Sequence, residues 1–418
     1  MVHQTMNTNN TKAPRASSNN KVMGHFQGRD VGVTGLIIAS LLTAGLLAAC
    51  STPPRQVPTA SVPPSALPKP ITGRTADTAA LPPAMQQGKS RWVPVRWAEL
   101  PGFEDDPLFE AWNAWLKNCE RPGPALAPLC GEARRLSIAT GDEQRNWMVA
   151  RLQPFRIESH QGNPDGLLTS YFEPVLKAAR QPGNGYEVPL YKAPAGVNGL
   201  GSRKPWFSRQ DIDTLPEAKA ALRGREIAYL ADPIDTLLLH IQGSGRLNVT
   251  EPDGSQRVVR VAFAGTNDQP YRSVNQWLIS QGVTKVNPWP DATKVWAAQN
   301  PQRVQQLLWS NPRFVFFKEE ALQGIDAAFG PKGAQGVALT PGRSIAVDPS
   351  SIPYGTPVWL ASNGSTGALQ KLVFAQDTGS AILGAVRADY FAGTGLEAGQ
   401  FAAKVNQPLR LWALWPKP

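Results

Sequence analysis

The sequence predicts a mainly β protein with few helices, whose short strands form barrels. Short apolar segments recur along most of the chain, and Gly and Pro, at 37 and 39 of the 418 residues, separate them. Many short strands between Gly and Pro turns are typical of β-barrels. Residues 91–418 are enough for two domains, and no internal repeat divides them.

The chain begins with a predicted export signal. Residues 31–49 are apolar and uncharged, and they end with Leu47-Ala-Ala immediately before Cys50. This arrangement resembles the bacterial lipoprotein signal, so we expect residues 1–49 to be cleaved off and Cys50 to carry lipid. Because Ser51 rather than Asp follows, we expect an outer-membrane anchor with the body in the periplasm. An uncleaved transmembrane anchor is the alternative, since about 20 apolar residues can span a bilayer.

Residues 50–90 are predicted to form a disordered tether. Nine prolines stand there among Ser, Thr and Ala, with few charges. Such a segment cannot bury enough apolar surface to fold, and its prolines keep it extended.

Cysteine and histidine usage limits the chemistry. Cys119 and Cys130 remain after signal cleavage, and an oxidising compartment makes a disulfide between them the default expectation. The same part of the chain holds only His160 and His240, and neither has a metal-ligand spacing. This scarcity argues against zinc and against a Ser-His-Asp triad, so we expect no metal and no cofactor.

The elements of the body follow from local patterns. We expect a helix over residues 105–116, because acidic residues and Pro107 precede apolar residues spaced three and four apart. Its Trp112 and Trp115 are expected in the core. Further helices are predicted at 208–223, 271–281 and 301–310. Strands are predicted at Leu167–Val175, Tyr186–Tyr191, Glu226–Leu230, Thr236–Gln242, Val258–Phe263, Arg313–Phe317, Ser344–Val347, Thr356–Leu360, Leu369–Ala375 and Leu409–Leu414.

Two carboxylates, Asp377 and Asp389, lie in a glycine-punctuated stretch that follows the apolar residues 372–375. Glycine permits turns that would bring both acids to one mouth. Paired acids in different environments suit acid and base steps on a glycosidic or peptide bond. Asp377-Thr-Gly-Ser also matches the aspartic protease signature, but such a protease needs two copies and this chain has one. Only a homodimer would supply the second.

A set of ordered motifs carries a family resemblance. The C-terminal motifs are Ser344-Ile-Ala-Val-Asp348-Pro-Ser-Ser-Ile-Pro-Tyr-Gly355, Ala375-Gln-Asp377-Thr-Gly-Ser-Ala-Ile-Leu-Gly384 and Val386-Arg-Ala-Asp389-Tyr-Phe-Ala-Gly393. Upstream motifs lie at Leu168–Val175, Ile241–Gly245, Tyr271–Val274 and Asn311–Phe317. In this order they resemble the membrane-bound lytic murein transglycosylase A (MltA) family, with its three-aspartate double-psi β-barrel.

The resemblance implies a fold and an activity. The fold is a discontinuous double-psi β-barrel catalytic domain, from residues 91–172 and 325–418, with an inserted second β-barrel-like domain from residues 173–324. A glycan would lie in the groove between them. The activity is cleavage of the β-1,4 bond between N-acetylmuramic acid and N-acetylglucosamine in peptidoglycan, which leaves 1,6-anhydromuramic acid ends.

The resemblance also implies roles for individual residues. The catalytic residue, acid and then base, falls on Asp389, with Asp377 and Asp348 in supporting positions; a structural turn aspartate is the alternative for Asp389. The residues expected to bind the glycan are Thr169, Tyr171, Gln242, Gly243, Ser244, Tyr271 and Arg272. For Gln242–Gly245, predicted as a turn after a strand, a plain β-turn without a glycan role is the alternative. Trp359 is open to either a core or a glycan role.

Two alternative functions stay open beside the transglycosylase activity. A peptidoglycan-binding lipoprotein without activity and a water-using muramidase are the alternatives, because one fold hosts several functions. The net charge of +10 suits acidic polymers such as peptidoglycan and equally fits ordinary solubility. No Lys/Arg cluster is dense enough to predict a nucleic acid partner. We expect a monomer that contacts peptidoglycan, the outer membrane through Cys50, and cell-wall synthesis or division complexes.

Overall fold

The computed structural model describes residues 80–197, 205–283 and 290–417, which lie in one compact unit. The predicted signal peptide, Cys50 and most of the predicted tether lie outside these residues. Within the described ranges, no helix is long and apolar enough to cross a membrane. The tether prediction is wrong at its end, because Met85–Gln87 is a strand and Ser90 is buried at the start of the next one.

Strands and short helices alternate along the described chain. The strands are β1 Met85–Gln87, β2 Ser90–Pro94, β3 Leu152–Glu158, β4 Gly166–Glu173, β5 Val175–Ala179, β6 Val188–Tyr191, β7 Glu226–Leu230, β8 Ser244–Thr250, β9 Gln256–Thr266, β10 Val315–Ala321, β11 Ser344–Val347, β12 Pro357–Gly364, β13 Gly367–Asp377, β14 Arg387–Thr394 and β15 Asn406–Pro416. The helices are α1 Phe109–Asn118, α2 Cys130–Arg135, α3 Gly141–Arg151, α4 Arg209–Thr214, α5 Pro216–Leu222, α6 Pro233–Gln242, α7 Val274–Ser280, α8 Asp291–Gln299, α9 Val304–Trp309 and α10 Leu396–Ala402.

β15 closes the first sheet into a barrel, because it pairs with β12 along residues 409–413 and with β4 along residues 406–409. The order around the ring is β15, β12, β13, β11, β14 and β4, and β3, β2 and β1 extend the sheet from β15. The pairs β11–β13 and β14–β4 are parallel. Closure pairs the strands all the way round, so the ring itself has no open edge. The prediction of a mainly β, barrel-based fold is confirmed.

The second sheet has six strands in the order β10, β9, β8, β5, β7 and β6, and its two edge strands lie against one another. All of its strands come from residues 175–321, whereas those of the first sheet lie before residue 174 or after residue 343. The chain passes from one sheet to the other at Pro174. The bounds of the two predicted domains stay a prediction.

Helix α1 covers the outside of the barrel. Val373 of β13 points into the barrel core, whereas its neighbour Phe374 packs against α1, as expected from the alternation of side chains along a strand. Trp112 and Trp115 are buried in this layer, and the rings of Trp115 and Phe374 meet edge to face with centroids 5.3 Å apart. The prediction that both tryptophans belong to the core is confirmed.

The predicted acidic cap of α1 is wrong. The helix begins at Phe109, and the residue before it, Leu108, is left-handed with φ 58° and provides no side-chain cap. Asp106 instead forms a buried ion pair with Arg343, with two hydrogen bonds of 2.6 and 2.8 Å, and it also accepts the N–H of Leu372 at 2.8 Å. A buried carboxylate needs such partners, and Arg343 lies 237 positions after Asp106 in the chain.

Other predicted elements differ in type or length. Thr236–Gln242 was predicted as a strand and belongs to α6, which the Asp232 side chain caps by accepting the N–H of Ile234 at 2.8 Å. Residues Thr236–His240 are buried one after another, and such a continuous run does not by itself distinguish a buried strand from a helix. The helix predicted at 208–223 breaks at Leu215, because Pro216 disfavours a helical residue before it.

Candidate active site

Asp377 and Asp389 lie on one rung of the barrel. Asp389 is in the middle of β14, where it pairs with Thr169 of β4 on one side and with Ala346 of β11 on the other. Ala346 in turn pairs with Asp377 at the end of β13. The two acids are therefore two strands apart, about 10 Å between Cα atoms at the usual strand spacing. The strand around Asp389 was not predicted, and the alternative of a turn aspartate is wrong.

The Asp389 carboxyl is half-buried, and its Oδ1 accepts a hydrogen bond. The Thr169 hydroxyl donates a hydrogen bond of 2.5 Å to its Oδ1. Burial raises the pKa of Asp389 above its ordinary value, the Thr169 hydrogen bond and the Arg387 charge oppose this rise, and the Asp377 charge adds to it. A carboxyl that holds its proton to higher pH is suited to general acid catalysis.

Both oxygens of Asp377 are occupied. The Tyr171 hydroxyl donates to Oδ2 at 2.8 Å, and the backbone N–H of Ala334 donates to Oδ1 at 2.9 Å. Burial raises the pKa of Asp377, and these hydrogen bonds oppose the rise. Burial, followed by the charges of Asp377 and Asp389, holds the pKa of Tyr171 well above its usual range, so this phenol keeps its proton.

Tyr271 and Arg272 precede α7, which begins at Val274 and not at residue 271 as predicted. Burial raises the pKa of Tyr271, a Ser273 hydrogen bond opposes the rise, and the charge of Asp389 adds to it. Tyr271 therefore lies within electrostatic reach of the acid. Arg272 has an exposed side chain, and its backbone N–H donates to Asn311 Oδ1 at 3.2 Å.

The predicted Gln242–Gly245 turn is the end of a helix. Gln242 closes α6, and its Oε1 accepts the backbone N–H of Phe172 at 2.9 Å, which ties the helix to β4. Gly243 follows in a left-handed conformation with φ 80°, which favours glycine at a helix C-terminus. Ser244 is buried at the start of β8.

Asp348 comes directly after β11 and has hydrogen-bond partners of its own. It is 2% exposed and accepts Lys89 Nζ at 3.1 Å and the N–H groups of Gly384 and Ser350, both at 3.0 Å. Burial acts to raise its pKa, but these three hydrogen bonds outweigh burial and lower the pKa. Asp348 thus ties the segment between β13 and β14 to the end of β11.

Trp359 and the two cysteines lie outside the rung that holds the two acids. Trp359 is fully buried, and its indole N–H donates to the Pro101 carbonyl at 3.0 Å, so it belongs to the core. A disulfide joins Cys119 and Cys130, between the end of α1 and the start of α2.

The sequence interpretation missed Arg387 as a site residue. Its Nη2 donates to Thr169 Oγ1 at 2.7 Å. Residues two apart on a strand share one face, so a predicted strand through Asp389 would have pointed to Arg387. It also missed Glu173, a fully buried carboxylate at the end of β4 that pairs with Arg246 at 2.7 Å and Arg260 at 2.6 Å, both on the second sheet.

Comparison with known proteins agrees with this geometry. The model of the MltA specific insert domain matches residues 167–318, and that of the 3D domain matches residues 343–415. The membrane-bound lytic murein transglycosylase A of Vibrio cholerae is 30% identical over 319 residues, which cover 74% of this chain and 75% of that protein. This chain belongs to the MltA family. The family resemblance predicted from the motifs is confirmed.

Solved structures of the family share the fold. The lytic transglycosylase LtgG of Burkholderia pseudomallei is 41% identical, with a TM-score of 0.55, over 81% of this chain and 99% of that one. MltA from Neisseria gonorrhoeae is 26% identical, with a TM-score of 0.66, over 80% of this chain and 94% of that one.

Proposed function

We propose that this protein is a lytic transglycosylase that cleaves the β-1,4 bond between N-acetylmuramic acid and N-acetylglucosamine in peptidoglycan. The observation that carries this proposal is the Asp389 carboxyl, which is half-buried, has a raised pKa and is held at Oδ1 by Thr169. Its relatives of known name support the substrate, because they are lytic murein transglycosylases.

Asp389 acts first as the acid. In its protonated form it donates to the glycosidic oxygen, the bond from that oxygen to C1 of N-acetylmuramic acid breaks, and N-acetylglucosamine leaves with a new hydroxyl. The resulting carboxylate then accepts the proton of the C6 hydroxyl of the same muramic acid while that oxygen bonds to C1. The products are a 1,6-anhydro end and a regenerated acid, so a single residue serves both proton transfers.

An internal nucleophile explains why a second free carboxylate is not needed. Hydrolases place two carboxyl groups so that the second activates water or attacks the sugar. Both oxygens of Asp377 are engaged by Tyr171 and Ala334, which suits support of the site through charge rather than attack. The C6 hydroxyl is attached to the reacting sugar and gains from proximity.

Residues around the acids are proposed to bind the glycan. Tyr271 lies within electrostatic reach of Asp389 and can pack against a pyranose ring. Arg272, with its exposed side chain, can engage a lactyl or stem-peptide carboxylate. Tyr171 on β4 holds the Asp377 carboxylate in place by donating a hydrogen bond to it. Gln242, Gly243 and Ser244 lie where α6 meets β8, and we assign them to the wall of the same groove.

We further propose that the mature protein begins at a lipidated Cys50 and is anchored in the outer membrane, facing the periplasm. The lipoprotein-type signal supports the anchor, and the Vibrio cholerae relative is named as a membrane-bound protein. Cys50→Ala should release the protein from membranes in the cell. Retention of that variant in the membrane fraction would contradict the proposal.

Digestion of purified murein sacculi tests the activity. The wild-type protein should release muropeptides whose ends are lighter by one water molecule than hydrolytic ends. Asp389→Asn should lose nearly all release while its thermal unfolding stays cooperative. Reducing ends would instead identify a water-using muramidase, and binding of sacculi without release would identify a binding protein. Full activity of Asp389→Asn would refute the assignment of the acid.

A further inference from the structure

Three groups meet in a line beside the proposed acid. Arg387 Nη2 donates to Thr169 Oγ1 at 2.7 Å, and Thr169 Oγ1 lies 2.5 Å from Asp389 Oδ1. Arg387 and Asp389 lie two residues apart on β14, and Thr169 is the residue of β4 paired with Asp389. The pleat therefore places all three side chains on one face of the barrel.

The chemistry of the donors fixes the direction of this line. A guanidinium has N–H donors and no acceptor, so Arg387 must donate to the Thr169 oxygen. A hydroxyl has a single proton, and the carboxylate of Asp389 is the acceptor in reach of it. The Thr169 proton is therefore directed to Oδ1.

We propose that Arg387 is a positioning residue that, through Thr169, reserves Oδ1 of Asp389 as an acceptor and leaves the transferred proton to Oδ2. This inference rests on the proposed function in assigning the transferred proton to Asp389. The donation to Oδ1 also stabilises the carboxylate form, which is the form that must accept the C6 proton in the second step.

Other groups also face Asp389 and have to be separated from this effect. Asp377 at the end of β13 has a charge that favours the protonated form of Asp389, and the phenols of Tyr171 and Tyr271 lie within electrostatic reach. On β11, the paired residue is Ala346, which carries no charge. Arg387 itself can act by charge alone as well as through Thr169.

A double-mutant cycle between Arg387→Met and Thr169→Val separates the two routes. Each single variant should lower kcat about tenfold, as expected for a lost hydrogen bond to a charged group. Each should also move the alkaline limb of the pH profile of kcat/KM up by about one pH unit. In the Thr169→Val background, Arg387→Met should add less than half of its effect on wild type. With Thr169 in place, Arg387→Lys, which can still donate to the hydroxyl, should keep most of the activity.

The matched control is Arg410→Met, because Arg410 is an exposed arginine on β15 whose ion pair is with exposed Asp165. It should leave the pH profile in place. If Arg387→Met has the same effect with Val at position 169 as with Thr, the Arg387 charge acts on Asp389 directly, and the proposed relay from Arg387 through Thr169 to Asp389 is refuted. No shift in either single variant refutes it as well.

A titration of the carboxyl itself distinguishes this inference from the proposed function. The ¹³C signal of Asp389, identified by its loss in Asp389→Asn, should titrate at higher pH in both single variants than in wild type. If Asp389→Asn keeps full activity on sacculi, the proposed function fails, whereas the titration still decides the relay. If Asp389→Asn is inactive and the titration is unchanged in both variants, the relay alone fails.

Discussion

Replacing Tyr171 by Phe removes the hydroxyl that donates to Asp377 Oδ2 and keeps the ring packed on Phe391, whose centroid lies 5.3 Å away. A hydrogen bond to a charged group contributes about 1.5–3 kcal/mol. Because both Tyr171 and Asp377 keep some contact with solvent, we expect the lower figure, about 1.5 kcal/mol, as the loss in the free energy of unfolding at neutral pH.

The loss should depend on pH with a definite sign. Burial raises the pKa of Asp377, and the hydrogen bond from Tyr171 opposes that rise. A carboxyl whose pKa is higher in the folded protein makes the fold less stable as pH rises from its unfolded pKa to its folded pKa, because the folded protein binds more protons there. Tyr171→Phe raises the folded pKa further, so the difference from wild type grows as Asp377 ionises and is smallest at low pH.

Urea unfolding at several pH values measures this difference. Tyr186→Phe, in the connection between β5 and β6, is the matched control and should change stability little at any pH. In an Asp377→Asn background, Tyr171→Phe should cost clearly less, because no carboxylate remains to be stabilised. A loss that is equal at acidic and neutral pH, or equal in both backgrounds, would show that Tyr171 acts only through packing.

Two further predictions concern buried charges away from the acid rung. Arg343→Met leaves the Asp106 carboxylate buried without its ion-pair partner, since each of the two side chains is only 1% exposed, and should lower the free energy of unfolding measured in urea by about 3–5 kcal/mol. Glu110, which also contacts Arg343, is 59% exposed, so Glu110→Gln should lower it by under about 1 kcal/mol. Equal losses of stability in the two variants would contradict the argument from burial. Asp348→Asn should cost about 1–3 kcal/mol at neutral pH, because charge-assisted hydrogen bonds to Gly384, Ser350 and Lys89 weaken. The lowered pKa of Asp348 means that this contribution is present above its unfolded pKa and fades as pH falls through its folded pKa, so a loss that persists undiminished in acid would argue against it.

Local patterns predicted those parts of the fold whose causes are local. The strands β11, β12 and β13 were predicted within a few residues, because short apolar runs and glycine turns mark them. The strand β14 was missed, since Asp389 and its glycines suggested a turn. α6 was mistaken for a strand, because its continuous run of buried residues, Thr236–His240, is compatible with a buried strand as well as with a helix.

The residues of the candidate site were likewise predicted only in part. Asp377, Asp389 and Tyr171 were predicted from ordered motifs, and the structure brings them together. Asp348 was grouped with them by its motif, yet its partners are Lys89, Gly384 and Ser350.

The sequence by itself determined the family and the β class, and it pointed to Asp389 as the candidate acid, because motifs in a fixed order carry that information without coordinates. Only the tertiary structure decided which carboxylate oxygens accept hydrogen bonds and from which residues. The partners of Asp389, Asp377 and Asp106 lie 220, 206 and 237 positions away. The pKa of a carboxyl depends on the desolvation and hydrogen bonds that such distant partners create, and no local pattern records them.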